Sequence, residues 1–153
     1  MNLSKIFFSV ILTLFTISSV SAADFVLKVA HNGPEQHPFQ NGAVRFKQVM
    51  EEQTNGNVEV QIFPSEQLGS EEETSQMIKQ GTIACAVESA GGGLAPFVPS
   101  ADLLNLPFLF RDLPHFYRVV DGPIGEQIGR KVEEKLDSVF LGWWFSGIRN
   151  EWN

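Results

Sequence analysis

Apolar residues along this chain change their period several times, and each change marks an element. Phe25, Leu27 and Val29 share one face of a period-two pattern, which predicts a first strand over Phe25–Ala30 that stops at His31-Asn32-Gly33-Pro34. Phe39, Ala43, Phe46 and Met50 then recur at helical spacing, and Asn55-Gly56 supplies the stop, so a helix is predicted from about Pro38 to Thr54. Val58, Val60 and Ile62 alternate with Glu59 and Gln61, the pattern of a strand with one wetter face, closed by Pro64. Ser70-Glu71-Glu72-Glu73 has the form of a capping box, and its acidic first turn suits the dipole of a helix that runs to Gln80-Gly81. The apolar run Thr82–Val87 is short enough for a third strand. It breaks at Glu88-Ser89 into Gly91-Gly92-Gly93.

Strand, helix, strand, helix, strand implies βαβ units, hence an α/β lobe with a mostly parallel sheet flanked by helices. Beyond it, Leu103–Phe110 is apolar but carries Pro107, which argues for a bent wall segment and against a central strand. Asp112 is placed to cap a short helix with Pro114 in its first turn. Asp121-Gly122-Pro123 starts another, with Ile124, Ile128, Val132 and Leu136 every four residues and Glu126 and Arg130 set for an i,i+4 pair. Val139–Phe145 reads as a strongly apolar strand whose Trp143, Trp144 and Phe145 leave more aromatic surface than a finished domain exposes.

The length of 153 residues suits one domain. Lys5, the apolar segment Ile6–Ile17 and the small residues of Val20-Ser21-Ala22-Ala23 predict a cleaved secretory signal over residues 1–22, cut after Ala22 or Ala23. That segment is shorter than the roughly 20 residues a membrane-spanning helix needs. The expectation is a soluble periplasmic protein, not membrane-inserted once the signal is removed. Losing Lys5 takes the formal net charge from −7 to −8. An acidic balance argues against nucleic acid as a partner but not against a small anion, which a single arginine in a cleft can hold. Cys85 is the only cysteine, so an internal disulfide is excluded and a core role expected.

Ligands of open α/β sheets gather beyond the carboxyl ends of the strands, which puts forward Asn32, Glu88, Ser89 and the bare backbone of Gly91–Gly93. The alternative for the glycines is a plain flexible connection. Arg149 lies in a loop that starts where the last apolar strand would end, on the same edge. It could grip a carboxylate with two parallel hydrogen bonds or stand as a solvated surface arginine. The three consecutive glutamates fan around their helix, which favours capping over a metal site. No metal-ligand spacing joins His31, His37 and His115, Ser89 sits in no GxSxG elbow, and no GxxxxGK[ST] loop is present. Neither catalytic residues nor a cofactor are expected.

These stretches together resemble the DctP-type solute-binding receptors of tripartite ATP-independent periplasmic (TRAP) transporters. The resemblance rests on Ala30-His31-Asn32, on Glu51 to Gly56, on Ile62-Phe63-Pro64-Ser65-Glu66-Gln67-Leu68-Gly69, and on Gln80-Gly81-Thr82 leading to Val87-Glu88-Ser89. It continues through Leu106-Pro107-Phe108-Leu109-Phe110-Arg111-Asp112, Asp121 to Gly125 and Gly147-Ile148-Arg149-Asn150. It implies a two-lobed receptor that closes on an organic anion, commonly a carboxylate, and passes it to TRAP transporter membrane subunits. By position, Asn32, Glu88 and Arg149 match cleft-lining places; Ser89 remains a candidate from its strand end, with His31 and Trp144 as secondary candidates. The chain then corresponds to the N-terminal part of such a receptor: a first lobe over 23–145, the start of a crossover over 146–153, and a second lobe missing. Two other readings stay open from the sequence. One is a secreted α/β hydrolase-like enzyme using Glu88 as base and Arg149 for an anion; the other is a module that docks a partner through Trp143 and Trp144.

Overall fold

In the computed structural model, which describes residues 23–147, three strands make a parallel sheet in the order β2-β1-β3. They are β1 (Phe25–His31), β2 (Val58–Phe63) and β3 (Cys85–Val87). Along β1 the register runs Phe25 against Val58 through Ala30 against Phe63 on one side, and Val29 against Cys85 through His31 against Val87 on the other. Period-two alternation sorts the side chains. Leu27 and Val29 join Val58, Val60, Ile62, Cys85 and Val87 in one cluster with Ala43, Phe46 and Met50 of α1 (Pro38–Gln53). Ala43 and Val60 are fully buried there, and a valine removed from water contributes about 1.5–3 kcal/mol.

The α1 helix starts where the sequence places it. His37 is its N-cap, with Nδ1 accepting from Phe39 N–H at 3.2 Å, and Pro38 fits the first turn, where no amide partner is needed. Asn55 and Gly56 turn out of it with φ of 51° and 80°. The helix also closes the free edge of β2: Lys47 Nζ donates to the Val60 carbonyl at 2.6 Å, and Glu51 Oε1 accepts from Val60 N–H at 3.0 Å. Side chains that occupy the open rungs of an edge strand prevent it from pairing with another chain.

On the opposite face α2 (Glu71–Lys79) begins with the capping box. Ser70 Oγ accepts from Glu73 N–H, and Glu73 Oε2 accepts from Ser70 N–H at 2.8 Å. Its Ser75 hydroxyl is buried and donates to the Gly93 carbonyl at 3.1 Å. A second core lies farther along the chain. Leu94, Val98 and Ala101 meet Ile128, Val132 and Leu136 of α4 (Pro123–Leu136), with Phe140 and Trp143 laid against them. The sequence-derived stripe holds for Ile128, Val132 and Leu136, whereas Ile124 is exposed. The preceding α3 (Leu113–Val120) is capped by Asp112, whose Oδ1 accepts from His115 N–H at 2.6 Å. Gly125 lets the two helices meet, since a Cβ there would stand 2.5 Å from the Val120 carbonyl carbon. The Glu126–Arg130 pair forms at 3.7 Å on an exposed face, where it adds little to stability.

Four expectations change. The third strand is confined to Cys85–Val87. The tri-glycine segment is not an open loop but a turn of π-helix, Ala90–Leu94. Leu103–Phe110 is bent as expected, yet its first part belongs to a 3-10 helix, Pro99–Asn105. Val139–Phe145 is not a strand. Gly142 has a φ of 144°, which breaks an extended run, and Phe140 and Trp143 find their burial against α4 and its neighbours instead of in a ladder. An apolar run reports burial; pairing needs a partner as well. The predicted signal over residues 1–22, as well as Arg149, lies outside the described residues. Among the described residues no helix is long and apolar enough to cross a membrane, and no cluster of His, Cys, Asp and Glu could hold a metal ion.

Candidate functional site

The carboxyl ends of β1 and β3 are adjacent, because His31 pairs with Val87. Asn32 therefore leaves one strand beside the point where Glu88 and Ser89 leave the other. His31 and Val87 face α1, so Glu88, one residue on, turns to the opposite face and α2. There its Oε1 lies 2.6 Å from Thr74 Oγ1, while Oε2 is buried with no hydrogen-bond partner among the described residues. Burial lifts the Glu88 carboxyl to about 8; the Thr74 hydrogen bond works against that shift, and the neighbouring Glu71 adds to it. Glu88 consequently holds its proton at neutral pH.

Ser89 is equally committed. Its N–H donates to Glu71 Oε1 at 2.8 Å and its hydroxyl to Glu71 Oε2 at 2.6 Å, while Oγ accepts from Gly92 N–H at 2.9 Å. The glycines serve these carboxyl groups. A Cβ at Gly92 would strike the Glu71 carboxylate, and one at Gly93 would come within 2.7 Å of Glu88 Cβ. Neither reading made of Gly91–Gly93 from the sequence, as bare binding surface or as flexible connection, describes this packing.

His31 is buried against Phe39, ring centroids 6.4 Å apart, and its Nε2 donates to Gln40 Oε1 at 2.8 Å. Its Nδ1 is buried without a partner among the described residues. Trp144 stands away from this cluster in sequence but rests on α1, over Gly42, where a Cβ would meet its Cε3 at 2.6 Å. Cys85 is half-buried and free, and burial pushes its thiol up, away from the reactive thiolate. The structure thus gathers Glu88 and Ser89 into one hydrogen-bonded group and sets His31 and Asn32 at the neighbouring strand end. Sequence reasoning missed Glu71 and Thr74 as members of that group. Their only signal was that the capping box uses Ser70 and Glu73, leaving Glu71 with no local task.

A groove of about 410 Å³ lies elsewhere, between Phe97, Val98 and Pro99 and the Lys131, Glu134 and Lys135 face of α4, and takes in none of these residues.

Comparison with known proteins converges on one group. A solute-binding protein of Roseobacter denitrificans is 32% identical over 87% of this chain and 40% of its own length. The 2,3-diketo-L-gulonate-binding periplasmic protein YiaO of Escherichia coli is 29% identical over 93% of this chain and 42% of its own. A TRAP periplasmic solute-binding protein of Sulfurospirillum deleyianum, solved with bound succinate, superposes with a TM-score of 0.69 at 37% identity, covering 74% of this chain and 36% of that one. The chain thus spans about 40% of the length of the curated relatives it matches. The family model for bacterial extracellular solute-binding protein, family 7 (DctP), matches residues 29–153. With both strand ends, the capping box and the buried Glu88 inside that match, this chain belongs to the DctP family of solute-binding proteins.

Proposed function

We propose that this chain forms one wall of a periplasmic receptor that captures a small organic anion, a carboxylate, for a TRAP-type secondary transporter. The observation that carries the reading is the joint strand edge, where Asn32 and His31 leave β1 beside Glu88 and Ser89 leaving β3, in a chain whose relatives hold acids in their solved structures. Those relatives include the succinate-bound protein above and a Roseobacter denitrificans receptor with bound L-galactonate. A protonated Glu88 suits this task, because a neutral carboxyl beside the edge does not repel an incoming anion as an ionised one would.

In this reading residues 1–22 export the chain, 23–145 form the first lobe and 146–153 begin the passage to a second. Arg149 supplies the cation, with Trp144 flanking. Closure of two walls on the solute stabilises the closed form by differential contacts, and the closed form is what the membrane subunits meet. Stoichiometric binding without turnover is the expected behaviour, in keeping with a family of solute-binding proteins. The test is calorimetry with succinate, D-galacturonate and L-galactonate on the two-lobed receptor of which this chain would be one wall, with Arg149 intact and as Arg149→Ala and Arg149→Lys. Arg149→Ala should weaken a bound acid by about 1.5–3 kcal/mol, the usual worth of a charge-assisted pair, and Arg149→Lys should recover part of it. Equal affinities in all three would remove Arg149 from the site, and conversion of any acid to product would refute the receptor reading.

A further inference from the structure

Glu71 spends both of its carboxylate oxygens on a single residue 18 positions away, the N–H and the hydroxyl of Ser89, at 2.8 and 2.6 Å. Bonds accepted by an ionised carboxylate are roughly twice as strong as neutral ones. Ser89 passes the constraint on. Its Oγ caps Gly92 N–H at 2.9 Å, and its carbonyl accepts from Gly93 and Leu94 N–H at 3.1 and 3.2 Å. The hydrogen bonds from the Gly92, Gly93 and Leu94 amides therefore converge on Ser89, and Ser89 is held from α2. The sheet does little of this work: β3 has three residues, and its ladder to β1 ends at Val87. The missing side chain at Gly92 leaves the space the Glu71 carboxylate occupies, so the turn is shaped around that group.

We infer that Glu71 is a positioning residue for the solute-facing wall: by clamping Ser89 it fixes how the chain leaves β3, and with that the placement of Glu88 and of the turn behind it. The inference rests on the reading that this strand edge meets the solute. Glu71 itself makes no contact with solute in this account. It acts through Ser89.

Amide hydrogen exchange and NMR on the solute-free 153-residue chain test the clamp directly. Glu71→Ala should speed exchange of the Ser89, Gly92, Gly93 and Leu94 amides at least tenfold, while Val29, Ala30 and His31 of β1 keep their protection. Glu71→Gln, which retains one acceptor oxygen, should fall between. Unchanged exchange across Ser89–Leu94 in Glu71→Ala would overturn the clamp. Should Glu71→Ala lose protection throughout, Glu71→Gln decides by the same exchange readout: faster exchange at Ser89–Leu94 with β1 protected supports the clamp, and unchanged exchange overturns it. Where succinate binds the wild type, Glu71→Ala should weaken it at least tenfold, and unchanged affinity would overturn the positioning role. Failure of the wild type to bind succinate counts against the receptor reading alone, since the clamp is read without solute.

Discussion

Thr74 and Glu88 share a hydrogen bond of 2.6 Å that ties α2 to the end of β3. Thr74 Oγ1 is also 2.9 Å from the Ser70 carbonyl. The Thr74 hydroxyl donates to Glu88 Oε1, a bond that favours the ionised carboxyl, but burial opposes ionisation more strongly. Ionised, Glu88 would be a buried charge whose Oε2 has no hydrogen-bond partner among the described residues.

The sign of the resulting pH dependence follows from the raised carboxyl. The folded chain keeps a proton on Glu88 that the unfolded chain gives up at about 4.5, so the contribution of Glu88 to stability is full below pH 4.5 and is lost as pH rises towards about 8. At about 1.4 kcal/mol per pH unit the window amounts to roughly 5 kcal/mol. Glu88→Gln, which cannot ionise, should flatten this part of the curve and be the more stable protein at pH 8. Chemical denaturation of both at pH 5, 6.5 and 8 checks it; parallel curves would mean that Glu88 titrates normally.

Gly93 is buried, and an added methyl would lie 2.7 Å from Glu88 Cβ and 3.0 Å from its Cδ. Neither atom can retreat far, because the carboxyl is held by Thr74 and covered by the turn. Gly93→Ala should therefore destabilise the chain by about 1–3 kcal/mol, the usual range for overpacking. A shift of the denaturation midpoint read by far-UV circular dichroism measures this; no loss of stability would show that the turn is loosely packed.

Gly42 poses the opposite balance. A Cβ there would stand 2.6 Å from Trp144 Cε3, but that ring is 42% exposed and lies in a segment without regular hydrogen bonding, so it can swing away. The helix would gain about 1 kcal/mol from replacing glycine by alanine, offsetting the lost contact. Gly42→Ala should leave overall stability within about 1 kcal/mol and shift the tryptophan emission to the red. An unaltered emission spectrum would mean that Trp144 does not rest on α1.

How far the sequence could be read depends on whether a feature is local. The capping box at Ser70 and Glu73, the Asp112 cap and the Asn55-Gly56 stop were legible because each is decided within four residues. The parallel sheet followed from alternation of strand and helix, whereas its order β2-β1-β3 is a matter of tertiary packing. The roles of Glu71 and Thr74 were not legible, because they depend on how α2 lies across the end of β3, 14 to 18 residues away. The same holds for Gly92 and Gly93, whose missing side chains matter only once the two carboxyl groups are in place. Val139–Phe145 misled for a different reason: its apolar pattern is real, and it is satisfied by helix packing through Phe140 and Trp143.

The central claim, that the edge formed by Asn32, Glu88 and Ser89 is where an organic anion meets this wall, is tested most directly by NMR shift mapping on the 153-residue chain. Succinate, D-galacturonate and L-galactonate would be titrated to tens of millimolar, since a single wall leaves a ligand half solvated and the affinity weak. The account predicts saturable shifts from at least one acid at the amides of Asn32, Glu88, Ser89 and the following turn. Shifts confined to the Phe97, Lys131 and Lys135 groove, or to none of these positions with any of the acids, would contradict it.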